Sequence, residues 1–122
     1  KLGERSLTVV ATHLALRDRA RQRQVRTILS HPQLQGPVVL MGDLNAWRRS
    51  KATRALEAAL GAHGNRRWPA SFPSARPILA LDRIYSRGAQ IESLEVHRST
   101  EARRASDHLP VIAGLKLPVI AR

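Results

Sequence analysis

Cysteine is absent from this 122-residue chain, which excludes a disulfide framework and a zinc site built on thiolates. Aromatic residues make up only 3% of the sequence although 43% of it is apolar, so the core must be mainly aliphatic. No apolar run approaches the roughly 20 residues that a membrane-spanning helix requires. We therefore predict one cytoplasmic domain over residues 1–122, without a transmembrane segment.

Acidic residues are scarce as well, because nine aspartates and glutamates stand against 21 lysines and arginines and the formal net charge is +12. A positive field of this size attracts phosphate-rich partners such as nucleic acid or phospholipid head groups. The alternative is that the arginine content reflects genomic composition alone. On the first predicted helix the arginines are most simply a solvated face. They are Arg17, Arg19, Arg21, Arg23 and Arg26.

Apolar runs separated by turn residues predict an α/β fold with the order β-α-β-α-β-β-β. The predicted strands cover residues 7–14, 38–41, 78–85, 91–96 and 109–117. Asp18 is expected to cap a helix that runs to residue 30, and Ser50 is expected to cap a second helix. Arg87-Gly88 predicts the turn of an antiparallel hairpin between the third and fourth strands.

A proline-rich loop over residues 63–77 is long for a compact domain, and such loops are often functional. It contains Trp68 and Phe72, while Trp47 follows the second strand. These aromatic side chains either stack on a base or contact a lipid, or they pack at the rim of the core. The sequence leaves both interpretations open.

The motif Gly42-Asp43-Leu44-Asn45 follows a short apolar strand. Glycine allows a sharp turn, and the spacing of two places Asp43 and Asn45 on one side if the extended geometry persists. A carboxylate binds a hard cation, and an amide holds a phosphate oxygen or a water. Asp and Asn are also common in ordinary turns, so this motif alone does not decide the function.

Polar residues also interrupt or precede other apolar strands. Asp82 lies within the predicted strand 78–85, where a carboxylate is costly unless it is paired. The imidazole of His108, in Ser106-Asp107-His108, would pair it and fix the histidine tautomer, with Arg83 as the alternative partner. His13 interrupts the first strand and is either structural or a general acid that protonates a leaving alkoxide.

Four motifs, taken in chain order, resemble those of the endonuclease/exonuclease/phosphatase family, whose folds are similar to deoxyribonuclease I. They are Thr12-His13, Gly42-Asp43-Leu44-Asn45, Leu81-Asp82-Arg83-Ile84 and Ser106-Asp107-His108. The resemblance implies half of a four-layer α/β/β/α sandwich, a mostly antiparallel sheet with two helices on one face. It also implies metal-dependent phosphoester hydrolysis, as in a phosphodiesterase, nuclease or phosphatase, by in-line attack of water.

The same resemblance implies a role for each motif residue. Asp43 and Asp107 would bind Mg²⁺ or Mn²⁺, and Asn45 would position the phosphate or the water. His108, oriented by Asp82, would act on the nucleophilic water or the phosphoryl oxygens, and His13 would assist the leaving group. The competing interpretation is a catalytically incomplete, arginine-rich fragment that binds nucleic acid or another polyanion.

The chain departs from the family pattern in its length and its glutamates. Family domains are much longer, and their first half supplies another sheet, an Asn and a metal-binding Glu. No glutamate here has a matching context: Glu4, Glu57, Glu92, Glu95 and Glu101. We therefore predict a partial, C-terminal half, which the start at Lys1 rather than methionine also suggests. Its inner sheet face would be uncovered unless a second copy or a missing segment packs on it.

Overall fold

The computed structural model describes residues 1–3, 5–46, 50–61 and 67–117. The elements along these residues are β1 (Thr8–Ala11), α1 (Asp18–Leu29), β2 (Val38–Asp43), α2 (Lys51–Leu60), β3 (Asp82–Arg87), β4 (Gln90–Val96), α3 (Thr100–Ala105) and β5 (Val111–Lys116). The α/β class and the predicted order are confirmed, with α3 as an additional helix. Because α3 buries no residue, it lacks the apolar stripe by which a helix is recognised in sequence.

The five strands form two sheets. β1, β2 and β3 make a three-stranded sheet in that order, with β1 parallel to β2 and β2 antiparallel to β3. β4 pairs antiparallel with β5, which follows α3 in the chain. The predicted hairpin is therefore wrong, because the turn at Arg87-Gly88 leads the chain from one sheet to the other instead of pairing β3 with β4.

Three strand boundaries differ from the prediction in ways that define the site. β1 ends at Ala11, so His13 lies beyond the strand and does not interrupt it. β2 continues through Gly42 to Asp43. β3 begins at Asp82, so this carboxylate opens the strand at its rim. All three polar side chains thus lie at strand ends, where a rigid backbone holds them close to solvent.

Helices α1 and α2 pack on one face of the three-stranded sheet, as predicted. Val25 of α1, Leu56 of α2 and the cross-strand pair Leu40 and Tyr85 belong to one buried cluster. The opposite face of the sheet carries Val39, which clusters with residues of β3 and β4. The aliphatic core expected from the composition is therefore confirmed, with Tyr85 as its one fully buried aromatic side chain among the described residues.

Part of this second face is open to solvent. Val9 and Met41 project from it, with 54% and 38% of their surface exposed. Such apolar exposure agrees with the expectation of an uncovered inner face, whereas the homodimer or missing segment that would cover it stays a prediction. In the described part of the chain, no helix has the length and apolarity to cross a bilayer.

Arg21 is the exception to the predicted solvated face of α1. It is 3% exposed, and its guanidinium donates to the Leu16 carbonyl at 2.6 Å and to the Asp18 carboxylate. Asp18 is therefore engaged by this ion pair and does not cap the helix, since Arg17 occupies the N-cap position without a side-chain hydrogen bond. One arginine of the run thus stabilises the fold by tying α1 to the segment that precedes it.

Ser50 caps α2 as predicted, through a reciprocal capping box. Its hydroxyl accepts from the Thr53 backbone N–H, and its own N–H donates to Thr53 Oγ1 at 2.9 Å. We expect Ser50→Ala to lower the free energy of unfolding by about 1 kcal/mol in urea denaturation, and Ser50→Gly by only a few tenths. Ser30→Ala, at an exposed helix end, is the control. An Ser50→Ala loss no larger than that of Ser30→Ala would contradict the capping role.

Candidate active site

Two carboxylates meet where β2 ends and β3 begins. Asp43 is the last residue of β2 and Asp82 the first of β3, and the antiparallel register places them directly opposite each other. Directly opposed residues on neighbouring strands project to the same face of a sheet. Both side chains are largely shielded, with 19% and 20% of their surface exposed. The register alone thus brings together two acids that lie far apart in sequence.

Gly42 allows the segment after β1 to approach this edge. Its φ is +143°, and a Cβ atom there would lie 1.8 Å from the carbonyl oxygen of Thr12. The Thr12 N–H donates to the Met41 carbonyl at 3.0 Å, and the Leu14 N–H donates to the Asp43 carbonyl at 2.9 Å. These two hydrogen bonds hold the segment alongside the end of β2, which brings His13 beside Asp43.

His108 is hydrogen-bonded to Asp82, as predicted from the sequence. The distance between Nδ1 of His108 and Oδ2 of Asp82 is 2.7 Å. An ionised carboxylate only accepts hydrogen bonds, so the proton in this bond belongs to Nδ1. This bond fixes the tautomer and leaves Nε2 as the nitrogen that faces the rest of the site. The alternative partner, Arg83, instead donates to the carbonyls of Ala46 and Ala80.

Asp43 lies between two imidazoles. Its Oδ2 is 3.3 Å from Nε2 of His13 and 3.6 Å from Nε2 of His108. The two histidines differ in setting, because the side chain of His13 is 75% exposed and that of His108 is 23% exposed. One imidazole is thus held within the protein, and the other reaches solvent.

Asn45 and Asp107 lie at the margins of this group. Asn45 has a φ of +48°, and its side-chain amide donates to the Leu14 carbonyl at 2.5 Å, so it helps to hold the approaching segment. Asp107 is 78% exposed, and its Oδ1 is 3.9 Å from Nε2 of His108. The predicted roles of Asn45 in positioning phosphate and of Asp107 in binding metal stay predictions.

The donor set fits a hard divalent cation. Ligand atoms of Asp43, Asp82 and His108 lie within 4.8 Å of one another. Carboxylate oxygens are the protein ligands that Mg²⁺ and Mn²⁺ prefer. Asp107 does not belong to this cluster, and neither does any glutamate in the described part of the chain. The geometry therefore agrees with a metal centre at the rim of the sheet and leaves the identity of the ion open.

Burial lowers the pKa of His108, but the hydrogen bond that His108 donates to Asp82 and the charges of Asp82, Asp43 and Asp107 outweigh it. The net pKa is therefore above the ordinary value of 6.5. Acidic neighbours favour the imidazolium form because they stabilise its positive charge. At a given pH, the protonated form of His108 is therefore favoured relative to that of a free imidazole.

This pKa predicts how stability depends on pH in the metal-free chain. A pKa raised in the folded state stabilises the fold below the unfolded value, and this contribution is lost as pH rises through the folded pKa. We expect the free energy of unfolding in EDTA to fall from about pH 6.5 upward, and to fall less in His108→Gln. Urea denaturation at several pH values measures both slopes, and equal slopes would contradict the raised pKa.

Three residues of the loop before β3 contact the site, Ser71 and Phe72 through their side chains and Ser74 only through its backbone, and the sequence did not identify these contacts. Ser71 is fully buried, and its hydroxyl donates to Oδ2 of Asp82 at 2.5 Å. The ring of Phe72 packs against the imidazole of His108, with 4.8 Å between centroids. The Ser74 N–H donates to the Asp107 carbonyl at 2.7 Å. The only available signal was the length of the proline-rich loop, which does not single out these positions.

Of the two tryptophans, the structure describes Trp68. Trp68 packs against Tyr85, with ring centroids 5.2 Å apart, and the guanidinium of Arg83 lies 5.5 Å from its ring. Its ring therefore packs at the edge of the core, which was one of the two interpretations of the sequence. Trp47 lies outside the described residues.

Residues 5–108 match the endonuclease/exonuclease/phosphatase family. The chain belongs to this family. The resemblance inferred from the four motifs is thereby confirmed, and the match ends at His108, the last residue of the last motif.

Known relatives of this family member are longer than the chain. It is 33% identical over 124 residues to the uncharacterized protein YbhP of Escherichia coli K12, and the match covers 93% of this chain and 47% of YbhP. The chain therefore spans about half the length of this relative. This agrees with the prediction of a partial domain.

Similar solved structures place the same fold in longer chains. A functionally unknown conserved protein from Enterococcus faecalis V583 superposes with a TM-score of 0.77 at 23% identity, over 90% of this chain and 50% of that one. An endonuclease/exonuclease/phosphatase from Beutenbergia cavernae gives a TM-score of 0.65 at 26% identity, over 89% and 36%. The deoxyribonuclease I-like fold that the motifs implied is thus confirmed.

Proposed function

We propose that this chain carries the catalytic half of a metal-dependent phosphoester hydrolase. The observation that carries the proposal is the convergence of Asp43, Asp82 and His108 within 4.8 Å at the rim of one sheet. An imidazole oriented by one carboxylate, beside a second carboxylate suited to a divalent cation, supplies the groups that metal-assisted hydrolysis requires. Membership of the endonuclease/exonuclease/phosphatase family supports the same reaction class.

We assign to His108 the role of acting on the attacking water or the phosphoryl oxygens. Its Nδ1 proton is committed to Asp82 at 2.7 Å, so its chemistry takes place at Nε2. A neutral Nε2 accepts a proton from water, and a protonated Nε2 donates a hydrogen bond to a phosphoryl oxygen. Asp82 keeps the ring in one orientation in either state, and we therefore assign it as a positioning residue for the in-line attack.

Asp43 and Asp107 are the proposed ligands of Mg²⁺ or Mn²⁺. Their carboxylates lie around Nε2 of His108, at 3.6 Å and 3.9 Å. Asp82 is less suited to this task because its Oδ2 already accepts hydrogen bonds from Ser71 and His108. When bound, the ion would neutralise the charge that develops on the phosphoryl group.

His13 is proposed to donate a proton to the leaving oxygen. It is the more exposed of the two histidines, and its Nε2 lies 3.3 Å from Oδ2 of Asp43. A cleft of about 550 Å³ adjoins the site and is lined by His13, Asp82 and Arg83 among other residues. The substrate is expected to enter through this cleft, past His13 and with Arg83 at its wall. The role proposed for Asn45 is to position the phosphate or the water.

Hydrolysis assays on the purified chain test this function. We expect turnover of bis(p-nitrophenyl) phosphate or p-nitrophenyl phosphate with Mg²⁺ or Mn²⁺, and loss of turnover in EDTA. A single-stranded oligonucleotide and phosphatidylinositol phosphate vesicles extend the panel to the two polyanions that the net charge of +12 suggests. Asp43→Asn is expected to lose turnover while it keeps the far-ultraviolet circular dichroism of the parent chain.

Two outcomes would contradict the proposal. One is turnover that persists in EDTA or in Asp43→Asn, because the proposed metal ligand would then be dispensable. The other is no turnover with any substrate and either metal, together with oligonucleotide binding that weakens steeply with salt. That result would replace the enzyme with the arginine-rich polyanion-binding fragment.

A further inference from the structure

We propose that Ser71 is a positioning residue that holds the Asp82 carboxylate in place for its hydrogen bond with His108. Ser71 lies in the loop before β3, outside all four motifs of the family resemblance. Its effect on turnover rests on the proposed function, whereas its effect on the geometry of the Asp82–His108 pair does not.

One carboxylate oxygen of Asp82 accepts hydrogen bonds from both Ser71 and His108. Oδ2 of Asp82 accepts from the Ser71 hydroxyl at 2.5 Å and from Nδ1 of His108 at 2.7 Å. Two donors that converge on the same oxygen fix the side-chain torsions of Asp82, because rotation of the carboxylate would break both hydrogen bonds. With only the imidazole as partner, the carboxylate and the ring would be free to move together.

Ser71 can fix this orientation because its own backbone is held from two sides. Its N–H donates to the Leu79 carbonyl at 2.9 Å, within the loop that leads to β3. Its carbonyl accepts from the Leu109 N–H at 2.8 Å, one residue beyond His108. The same residue therefore contacts the acid through its hydroxyl and the backbone beside the imidazole through its carbonyl.

Burial makes the hydroxyl specific to this task. Ser71 is 0% exposed, so water does not compete for its proton or replace it as a donor to Asp82. A shielded carboxylate that loses a hydrogen-bond donor is destabilised, and its side chain can turn toward another donor. The ring of Phe72, the next residue of the loop, packs against the imidazole of His108 with 4.8 Å between centroids. The loop thus contacts both members of the pair.

Ser74 provides a matched control within the same loop. It is also a buried serine, 5% exposed, but its hydroxyl donates to the Arg103 carbonyl at 3.2 Å and does not contact Asp82. Ser74→Ala removes a buried hydroxyl from the loop and leaves both donors to Asp82 intact. A general weakening of the loop therefore affects both variants, whereas a positioning role affects only Ser71→Ala.

The first readout is proton NMR of the full chain, which needs no substrate. The Nδ1 proton of a histidine held by a carboxylate gives a downfield signal that is protected from exchange with water. We expect this signal of His108 to broaden or disappear in Ser71→Ala and to persist in Ser74→Ala. Ser71→Thr keeps the hydroxyl and is expected to retain it. If Ser71→Ala does not fold, Ser71→Cys replaces it in this experiment. Cysteine is close to serine in shape but offers only a weak hydrogen-bond donor.

The second readout is turnover. We expect kcat of Ser71→Ala to fall about 10- to 100-fold with KM nearly unchanged, as for other residues that orient a catalytic group. An unchanged His108 signal in Ser71→Ala and Ser71→Cys would overturn the proposal, and so would an equal loss in Ser74→Ala. If the signal is lost in Ser71→Ala but no chain hydrolyses any substrate, the positioning role stands and the proposed function fails.

Discussion

We expect His108→Ala to lower kcat for phosphoester hydrolysis by about 10³-fold, within the range found for the loss of a general acid–base group. The physical reason is that Nε2 of His108 is the one nitrogen of the Asp82–His108 pair left available to water or phosphate, since Nδ1 is bonded to Asp82 at 2.7 Å. Asp82→Asn keeps the ring in place but accepts from Nδ1 less strongly. Its kcat is expected to lie between those of the parent chain and His108→Ala.

His97→Ala is the matched control for this experiment. His97 is an exposed histidine between β4 and α3, and its backbone N–H donates to the Pro110 carbonyl, which the substitution leaves in place. Its kcat should equal that of the parent chain within twofold. Steady-state kinetics with Mn²⁺ and a chromogenic phosphodiester measure all three variants. A His108→Ala rate within about tenfold of the parent would exclude His108 as the acid–base group.

We expect Gly42→Ala to prevent the chain from folding or to lower its free energy of unfolding by more than about 4 kcal/mol, a loss found only for severe disruptions. A Cβ at this position would lie 1.8 Å from the Thr12 carbonyl oxygen and 2.9 Å from its carbon. The obstacle is backbone, so rotation of a side chain cannot relieve it. Moving the segment away would break its hydrogen bonds to β2 and withdraw His13 from Asp43.

Gly36→Ala is the control that distinguishes the steric clash at Gly42 from the strain of a positive φ alone. Gly36 has a φ of +78°, but a Cβ there would meet nothing within 4 Å. Its substitution should destabilise the chain by about 1–2 kcal/mol, the cost of a left-handed conformation for a residue with a Cβ. Urea denaturation compares the two variants. Equal losses would show that the approach of Thr12 to Gly42 does not determine the stability of this edge.

The local parts of the fold were predictable because they depend on neighbours in sequence. Ser50 caps α2 through a residue three positions away, and the apolar spacing of α2 places Leu56 and Leu60 in the core. α3 was not predicted because a six-residue helix with no buried side chain has no periodic pattern of apolar residues. The turn at Arg87-Gly88 was correctly placed, but a turn residue does not determine whether the strands on either side pair.

The site was predictable in its residues and not in its geometry. A polar residue next to an apolar strand marked His13, Asp43, Asp82 and His108. Their distances depend on the register of β2 against β3, which the sequence does not specify, and on the segment admitted by Gly42. Ser71 gave no signal at all, because a serine in a proline-rich loop is ordinary until the fold buries it against Asp82.

Paramagnetic NMR with Mn²⁺ tests most directly whether the carboxylates around His108 bind a divalent cation. In a titration of the ¹⁵N-labelled chain, we expect the amide signals of Asp43, Asp107 and His108 to broaden first, at substoichiometric Mn²⁺. Asp43→Asn should abolish this selective broadening. Broadening centred elsewhere, for example at Glu92 and Glu95 of β4, or broadening unchanged in Asp43→Asn, would contradict the account.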